Sequence, residues 1–114
     1  MYVNGIGVEQ NFEKAIEYYK RASENGNDKA ITNLGLIYLN GMGVEKDFVL
    51  SKKYLFEASE KGNYVATNQL AFLYLNGSEG FEKDISLAVD LYSKSAKMGN
   101  NEAIEMLKLL KNRI

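Results

Sequence analysis

The sequence repeats itself at a fixed interval, and this periodicity limits the possible fold more than any other feature. Four residues near the N-terminus recur 36 positions later: Tyr2, Gly5, Gly7 and Val8 return as Tyr38, Gly41, Gly43 and Val44. The same offset relates Ala30, Leu34 and Tyr38 to Ala66, Leu70 and Tyr74. Periods of this size are typical of repeats built from two α-helices, which bury their apolar faces by stacking on neighbouring copies. The period therefore predicts a helical solenoid.

The last copy follows the same pattern with one extra residue. From Gly80 onward the offset to the preceding copy is 37, so that Gly43, Asp47, Leu55 and Gly62 align with Gly80, Asp84, Tyr92 and Gly99. The inserted residue falls between Asn76 and Gly80, in a segment that we expect to be a loop between helices. Loop length has little effect on the entropy of chain closure, so the helices on either side need not change.

Within each copy, apolar or small residues recur at spacings of three and four positions, as on one face of an α-helix. This pattern predicts two helices per repeat. Asn11, Asp47 and Asp84 directly precede the second apolar stripe of each copy, where a short oxygen-bearing side chain can cap a helix. Glycines that follow the stripes, at positions 26, 62 and 99, supply the left-handed residue that commonly ends a helix. We therefore predict helices over residues 11–25, 28–39, 47–61, 64–75, 84–98 and 101–112.

The second copy carries the full pattern in Ala30, Leu34, Gly35, Tyr38, Gly41, Gly43, Val44, Asp47, Ser51, Leu55, Ala58 and Gly62. These residues and their spacing resemble the Sel-one-like repeat (SLR) family, which is related to the tetratricopeptide repeat. The resemblance covers nearly the whole chain, with Ser51, Phe81 and Asn11 standing where alanine, valine and aspartate are usual. It implies an all-α, right-handed superhelix of antiparallel helix pairs, whose first helices line a concave surface.

Repeat boundaries follow from this alignment. We expect a truncated first repeat over 1–27, full repeats over 28–63 and 64–100, and a C-terminal capping helix over 101–114. Gly35 and Ala71 occupy one repeated helical position, where a very small side chain indicates a closely crossing helix. Lys108 takes the same position in the last helix, which predicts that no further helix packs there. At the other end, the face containing Tyr18 is expected to be less covered and open to self-association.

Composition removes several classes of function. The net charge of -1, from 14 basic and 15 acidic residues, supplies no electrostatic attraction to nucleic acid. Cysteine and histidine are both absent, and with them the commonest nucleophiles, general bases and zinc ligands. We expect no catalytic residues, no metal and no cofactor. The longest apolar stretches are too short to cross a bilayer, so the chain is expected to be soluble, whereas its localisation stays open.

The candidate binding residues are those of the first helices that lie off the core ridge. They are Lys29, Thr32, Asn33, Leu36, Val65, Asn68, Gln69, Phe72 and Leu75. Leu36 and Phe72 are equivalent positions and are expected to form an apolar strip flanked by amides, suited to an extended peptide or a helix. The alternative is that both residues thicken the core. Lys29 and Asn33 resemble the clamp by which some tetratricopeptide domains hold a C-terminal carboxylate; the alternative is a solvated pair on an exposed helix face. The repeated tyrosines are expected to be mostly structural.

The family resemblance implies a protein-interaction scaffold or adaptor, because SLR proteins mostly assemble other proteins. Two alternatives remain. One is a bacterial immunity or inhibitor protein that neutralises a cognate toxin. The other is a hydrolase of β-lactams like the cysteine-rich branch of the family, although that branch carries a disulfide in each repeat and this chain has no cysteine.

Overall fold

A computed structural model describes the backbone of residues 5–113 and the side chains of residues 12–111. This part of the chain forms six helices and no strands: α1 (Gly5–Glu24), α2 (Asp28–Asn40), α3 (Phe48–Glu60), α4 (Tyr64–Asn76), α5 (Ile85–Lys97) and α6 (Asn101–Arg113). Consecutive helices pack against each other along a body of 48 × 28 × 26 Å. The predicted all-α solenoid is confirmed. None of the described helices has both the length and the apolar character that a bilayer span requires.

Short oxygen-bearing side chains start helices α2 to α6, and two of these caps, Asp47 and Asp84, were predicted from the sequence. Asp47 Oδ1 accepts a 3.0 Å hydrogen bond from the N–H of Leu50, and Asp84 Oδ1 accepts one of the same length from Leu87. Asparagines at positions 27, 63 and 100 cap α2, α4 and α6 in the same way. These caps satisfy amides that have no partner inside their own helix. Helices α2 to α6 consequently begin and end within one residue of the predicted bounds.

Helix α1 differs from the prediction. It begins at Gly5, so Asn11 lies inside the helix and is not its N-cap. In the later copies the N–H group of Asp47 donates to the carbonyl of Tyr38, and that of Asp84 donates to the carbonyl of Tyr74. These bonds fix the loop that precedes the second helix of each copy. Tyr2, the counterpart of Tyr38 and Tyr74 in the first repeat, lies outside the described residues. The predicted correspondence of residues 1–4 to the second repeat stays a prediction. Because α1 continues through residue 11, the backbone at this position is satisfied within the helix.

Gly35 lies where α2 and α3 cross most closely. A Cβ atom at this position would lie 2.7 Å from Cγ and 3.3 Å from the backbone nitrogen of Leu55. Ser51 Oγ donates a 2.7 Å hydrogen bond to the Gly35 carbonyl across the same crossing. Ala71, at the equivalent position of α4, is fully buried. The expectation of a close helix crossing at this repeated small residue is confirmed.

Each repeat also packs an aromatic ring onto a glycine of the next repeat. Gly43 and Gly80 have φ of 77° and 81°, in the left-handed region. A Cβ atom on either residue would overlap an aromatic side chain of the preceding repeat, Phe12 at Gly43 and Phe48 at Gly80. The same contact therefore joins both pairs of neighbouring repeats, and the extra residue before Gly80 leaves it intact.

The core runs the length of the stack and contains some of the tyrosines. Tyr74 and Tyr92 are 8% and 3% exposed, as their place on the core ridge predicts. Tyr19 and Tyr38 are half-buried at the edge of the core, whereas Tyr18 is 66% exposed on α1. Most of the ridge tyrosines thus fill space between helices.

Candidate functional site

The first helices of successive repeats, α2, α4 and α6, present equivalent positions on one face. Leu36, Phe72 and Leu109 correspond to one another at offsets of 36 and 37. Phe72 and Leu109 are 53% and 57% exposed, although large apolar side chains usually avoid water. Leu36 is half-buried and packs against the core. The apolar strip predicted from two residues therefore has a third member on α6, which we did not predict because the inserted residue shifts its register.

A groove lies between α4 and α6 and has a volume of about 510 Å³. We call it the α4/α6 groove; its lining residues are Tyr64, Val65, Asn68, Gln69, Phe72, Tyr92, Asn100, Glu102 and Met106. Aromatic and aliphatic side chains form most of its surface, and the polar groups gather near the start of α6. A few polar groups within a mostly apolar concavity are typical of binding sites.

A polar bridge crosses the floor of the α4/α6 groove. Asn68 Nδ2 donates to Asn100 Oδ1 at 2.9 Å and to Glu102 Oε1 at 3.4 Å. Asn100 Oδ1 also accepts from the N–H of Ala103, so one oxygen both caps α6 and joins it to α4. Asn68 Oδ1 is buried and has no donor among the described residues. Asn68 therefore links α4 to the start of α6 through its side-chain amide.

Tyr92 of α5 forms the base of the α4/α6 groove. Burial raises the pKa of its hydroxyl above the ordinary value of 10.0, and the nearby carboxylate of Glu102 raises the pKa further. The phenol therefore stays protonated at neutral pH and can donate a hydrogen bond. Tyr92 thus serves both the core and the groove.

A second groove, about 260 Å³ in volume, lies between α1 and α2. It is lined by Phe12, Ala15, Tyr19, Asn33, Leu36, Ile37, Asn40 and Met42. Asn33 and Leu36 are the counterparts of Gln69 and Phe72, so the two grooves use equivalent positions one repeat apart. We call this second groove the α1/α2 groove.

The structure brings most of the predicted binding residues into these two grooves. Val65, Asn68, Gln69 and Phe72 line the α4/α6 groove, and Asn33 and Leu36 line the α1/α2 groove. Lys29 is exposed but lines neither groove, so the proposed carboxylate clamp with Asn33 gains no support. Leu75 is half-buried against the core.

Thr32 was wrongly placed on the binding surface, because it is 3% exposed. Its hydroxyl donates to the carbonyl of Asp28 at 2.9 Å, which keeps this short side chain against its own helix. The start of α4 reaches the same turn, where Asn63 Nδ2 donates to Asp28 Oδ2 at 2.8 Å. Asn68, the counterpart of Thr32, is longer and extends into the groove.

Four residues that line the α4/α6 groove escaped prediction, namely Tyr92, Asn100, Glu102 and Met106, as did the exposed Leu109 beside it. Met106 and Leu109 have the spacing of Gln69 and Phe72 on α4, so alignment of α6 at the shifted offset of 37 would have found them. Tyr92 was assigned to the core alone. Glu102 corresponds to Val65 at the same offset of 37 and could have been found in the same way. Asn100 caps α6, and its place in the groove is set by its bond to Asn68.

The described side chains give little basis for a metal site. Within residues 12–111, no three Asp or Glu side chains gather closely enough to hold a metal ion. The charged pairs found there, Arg21 with Glu17 and Lys108 with Glu105, are exposed contacts within single helices. The chemistry of the site thus consists of apolar contact, amide hydrogen bonding and one carboxylate.

Paired helices stacked in register, with a groove along the first helix of each pair, define an α/α repeat protein of the solenoid class. The particular family follows from the sequence. The model of the Sel1 repeat matches residues 1–27, 28–63 and 65–100, and the chain belongs to this family. Sel1 repeat proteins generally act in protein–protein interactions.

Solved structures with the same fold support this assignment. The chain is 32% identical to c5321, a protective antigen of uropathogenic Escherichia coli with an SLR fold, over 86% of this chain and 21% of that one, with a TM-score of 0.77. It is 32% identical to a Sel1 repeat protein from Oxalobacter formigenes, over 84% of this chain and 39% of that one, at the same TM-score of 0.77.

A third similar structure is cysteine rich protein B of Helicobacter pylori, with 25% identity over 83% of this chain and 71% of that one, and a TM-score of 0.77. The chain therefore spans about a fifth of c5321 and about two fifths of the Oxalobacter protein. Among curated proteins, none matches the sequence.

Proposed function

We propose that this chain is a non-catalytic protein-binding module that holds an extended polypeptide segment along the face formed by α2, α4 and α6. The observation that carries the proposal is the exposed apolar strip. Phe72 and Leu109 remain about half exposed at equivalent positions of neighbouring helices, beside a groove of about 510 Å³. Exposed apolar side chains beside a polar rim are characteristic of surfaces that bind protein.

The amides along the strip favour a polypeptide ligand. Asn33 and Gln69 occupy equivalent positions one turn before Leu36 and Phe72. An amide side chain both donates and accepts, which suits the alternating N–H and C=O groups of an extended backbone. Nucleic acid is disfavoured as a ligand, because the α4/α6 groove has one carboxylate and no cation among its lining residues.

Site-specific photocrosslinking would test the proposal. A photoreactive phenylalanine analogue at Phe72 should capture a discrete partner from lysate of the source organism. The matched control carries the analogue at Val49, which is 82% exposed on α3 and lines neither groove. The captured protein would then be purified and titrated against the wild type and Phe72→Ala.

Binding that weakens by about tenfold or more in Phe72→Ala would support the module, since truncating a central aromatic contact typically costs at least about 1.4 kcal/mol. Equal capture from Val49, or unchanged affinity in Phe72→Ala, would contradict it. A captured toxin whose activity the chain inhibits would favour the immunity-protein alternative. Turnover of a β-lactam that is lost in Tyr92→Phe would contradict a non-catalytic role. Self-association through α1 stays a prediction, which sedimentation velocity of wild type and Tyr18→Ser would test.

A further inference from the structure

Glu102 places a single negative charge at one end of the α4/α6 groove. It is the only charged residue among those that line the groove. Glu102 is exposed, and its Oε1 atom lies 3.4 Å from Asn68 Nδ2. No Lys or Arg nitrogen of the described residues lies within 4.0 Å of the carboxylate, since the ion pairs found there involve Glu17 and Glu105. The groove thus carries a negative charge without a cationic partner.

The neighbouring polar atoms add to this negative character. The Asn68 amide nitrogen lies 2.9 Å from Asn100 Oδ1 and 3.4 Å from Glu102 Oε1. The other polar atom of this side chain, Oδ1, is a buried acceptor without a donor among the described residues. Asn100 Oδ1 already accepts two hydrogen bonds. This end of the groove consequently presents acceptors, and a ligand that binds here gains from being rich in donors.

The walls of the groove favour a flat cation with an apolar stem. Tyr64 is 49% exposed and Phe72 is 53% exposed, so both rings offer faces to a ligand. A guanidinium group is planar, carries five N–H donors, stacks on aromatic rings and pairs with carboxylates in a fixed geometry. A lysine ammonium is compact and more strongly hydrated, so it makes fewer of these contacts.

We infer that the α4/α6 groove selects partner segments that present an arginine side chain, with the guanidinium group at Glu102 and the aliphatic stem against Tyr64, Phe72 and Met106. This inference rests on the proposed function, because it names the chemistry that the same groove recognises. The occupant is a polypeptide whose arginine is flanked by apolar residues that cover the exposed strip.

Peptide pools would test the inference with defined probes. Fluorescent nonapeptides with random uncharged flanking positions would carry a central arginine, lysine, citrulline, norleucine or glutamate, and their binding would be followed by fluorescence polarisation. We expect the arginine pool to bind about fivefold more tightly than the citrulline pool, which keeps the shape of arginine but removes the charge. Glu102→Gln should reduce this difference to the part that comes from the aromatic rings, about twofold or less, and Glu102→Lys should shift the preference to the glutamate pool.

Glu105→Gln is the matched control. Glu105 lies one turn further along α6, is exposed, pairs with Lys108 at 3.5 Å and does not line the groove. Its substitution should leave the arginine preference unchanged, and thermal melts of both Gln variants would exclude a loss of folding as the cause.

Equal binding of the arginine and citrulline pools, or an equal loss of preference in Glu105→Gln, would overturn the inference. If all pools bind equally but lose affinity in Phe72→Ala, the arginine preference is wrong and the protein-binding groove stands. If no pool binds the wild type more tightly than Phe72→Ala, the proposed function fails together with the arginine preference.

Discussion

Ser51 donates a 2.7 Å hydrogen bond to the backbone carbonyl of Gly35, joining α3 to α2 at a crossing where α2 has no side chain. Ser51 is fully buried at this crossing. Leu55, one turn further along α3, fills the space in which a Cβ of residue 35 would otherwise lie. The stack therefore depends on the absence of a side chain at position 35.

Gly35→Ala should lower the free energy of unfolding by about 1–3 kcal/mol, the usual cost of overpacking a core. An alanine in an open helix has the opposite effect and stabilises by about 1 kcal/mol, so the sign of the change is diagnostic. Urea titrations followed by circular dichroism would measure it. Adding Leu55→Ala should give a double variant whose loss is smaller than the sum of the two single losses. A stabilised Gly35→Ala protein would contradict the close crossing.

Asp47→Ala should destabilise the protein by about 1 kcal/mol, because it removes the cap that accepts from Leu50 N–H. Asn11→Ala is the matched control at the equivalent position of the first repeat. Since residue 11 lies within α1, alanine there should be neutral or slightly stabilising. Chemical denaturation would compare the two variants. An equal loss in Asn11→Ala would mean that the first repeat caps its second helix as the others do.

Phe72→Ala should cost less than about 1 kcal/mol of stability, because more than half of the side chain is already exposed. Leu70→Ala, two residues earlier on α4, removes a fully buried side chain and should cost about 2–5 kcal/mol. Thermal melts would separate the two. Combining Phe72→Ala with Leu36→Ala should cost more than Phe72→Ala alone, because Leu36 packs against the core. A large loss in Phe72→Ala would assign that residue to the core and not to binding.

Alkaline pH should destabilise the protein through its buried tyrosines. Burial raises the pKa of Tyr74 and Tyr92 above 10.0 in the folded state, with Asp84 and Glu102 as secondary causes. The folded state then holds these protons more tightly than the unfolded state, so the stabilisation is complete below pH 10 and is lost as the pH rises through the folded pKa values. Tyr92→Phe should reduce this loss. Melting temperatures measured across the alkaline range would check it, and an unchanged slope would contradict the raised pKa of Tyr92.

Much of the fold was predictable because the repeats place residues of the same type wherever the same packing contact recurs. Gly35 and Ala71 together indicate a close crossing, which either residue alone would not. The start of α1 was predicted wrongly for the complementary reason. Asn11 matches Asp47 in sequence, but the loop before Asp47 also needs the carbonyl of Tyr38 as an acceptor. A cap residue alone therefore did not fix the helix start, since α1 runs through residue 11.

The groove was only partly predictable, because it depends on contacts between repeats. Phe72 was found from its own helix, whereas Glu102 and Met106 lie on α6, where the inserted residue shifts the register to an offset of 37 from Val65 and Gln69. Thr32 shows the reverse error. It shares the repeat position of Asn68, but its short hydroxyl bonds to Asp28 and leaves it buried. Asn68, with a longer side chain at the equivalent position, lines the α4/α6 groove.

The contact of Phe12 with Gly43 is chemically the same as that of Phe48 with Gly80. Because the same contact occurs at both junctions, the repeat between them can be removed without changing the kind of contact that joins its neighbours. Excising residues 28–63 would place Phe12 against Gly80, in the position that Phe48 now occupies. Duplication or loss of whole repeats can therefore change the number of grooves in the array while the contacts between neighbouring repeats stay the same.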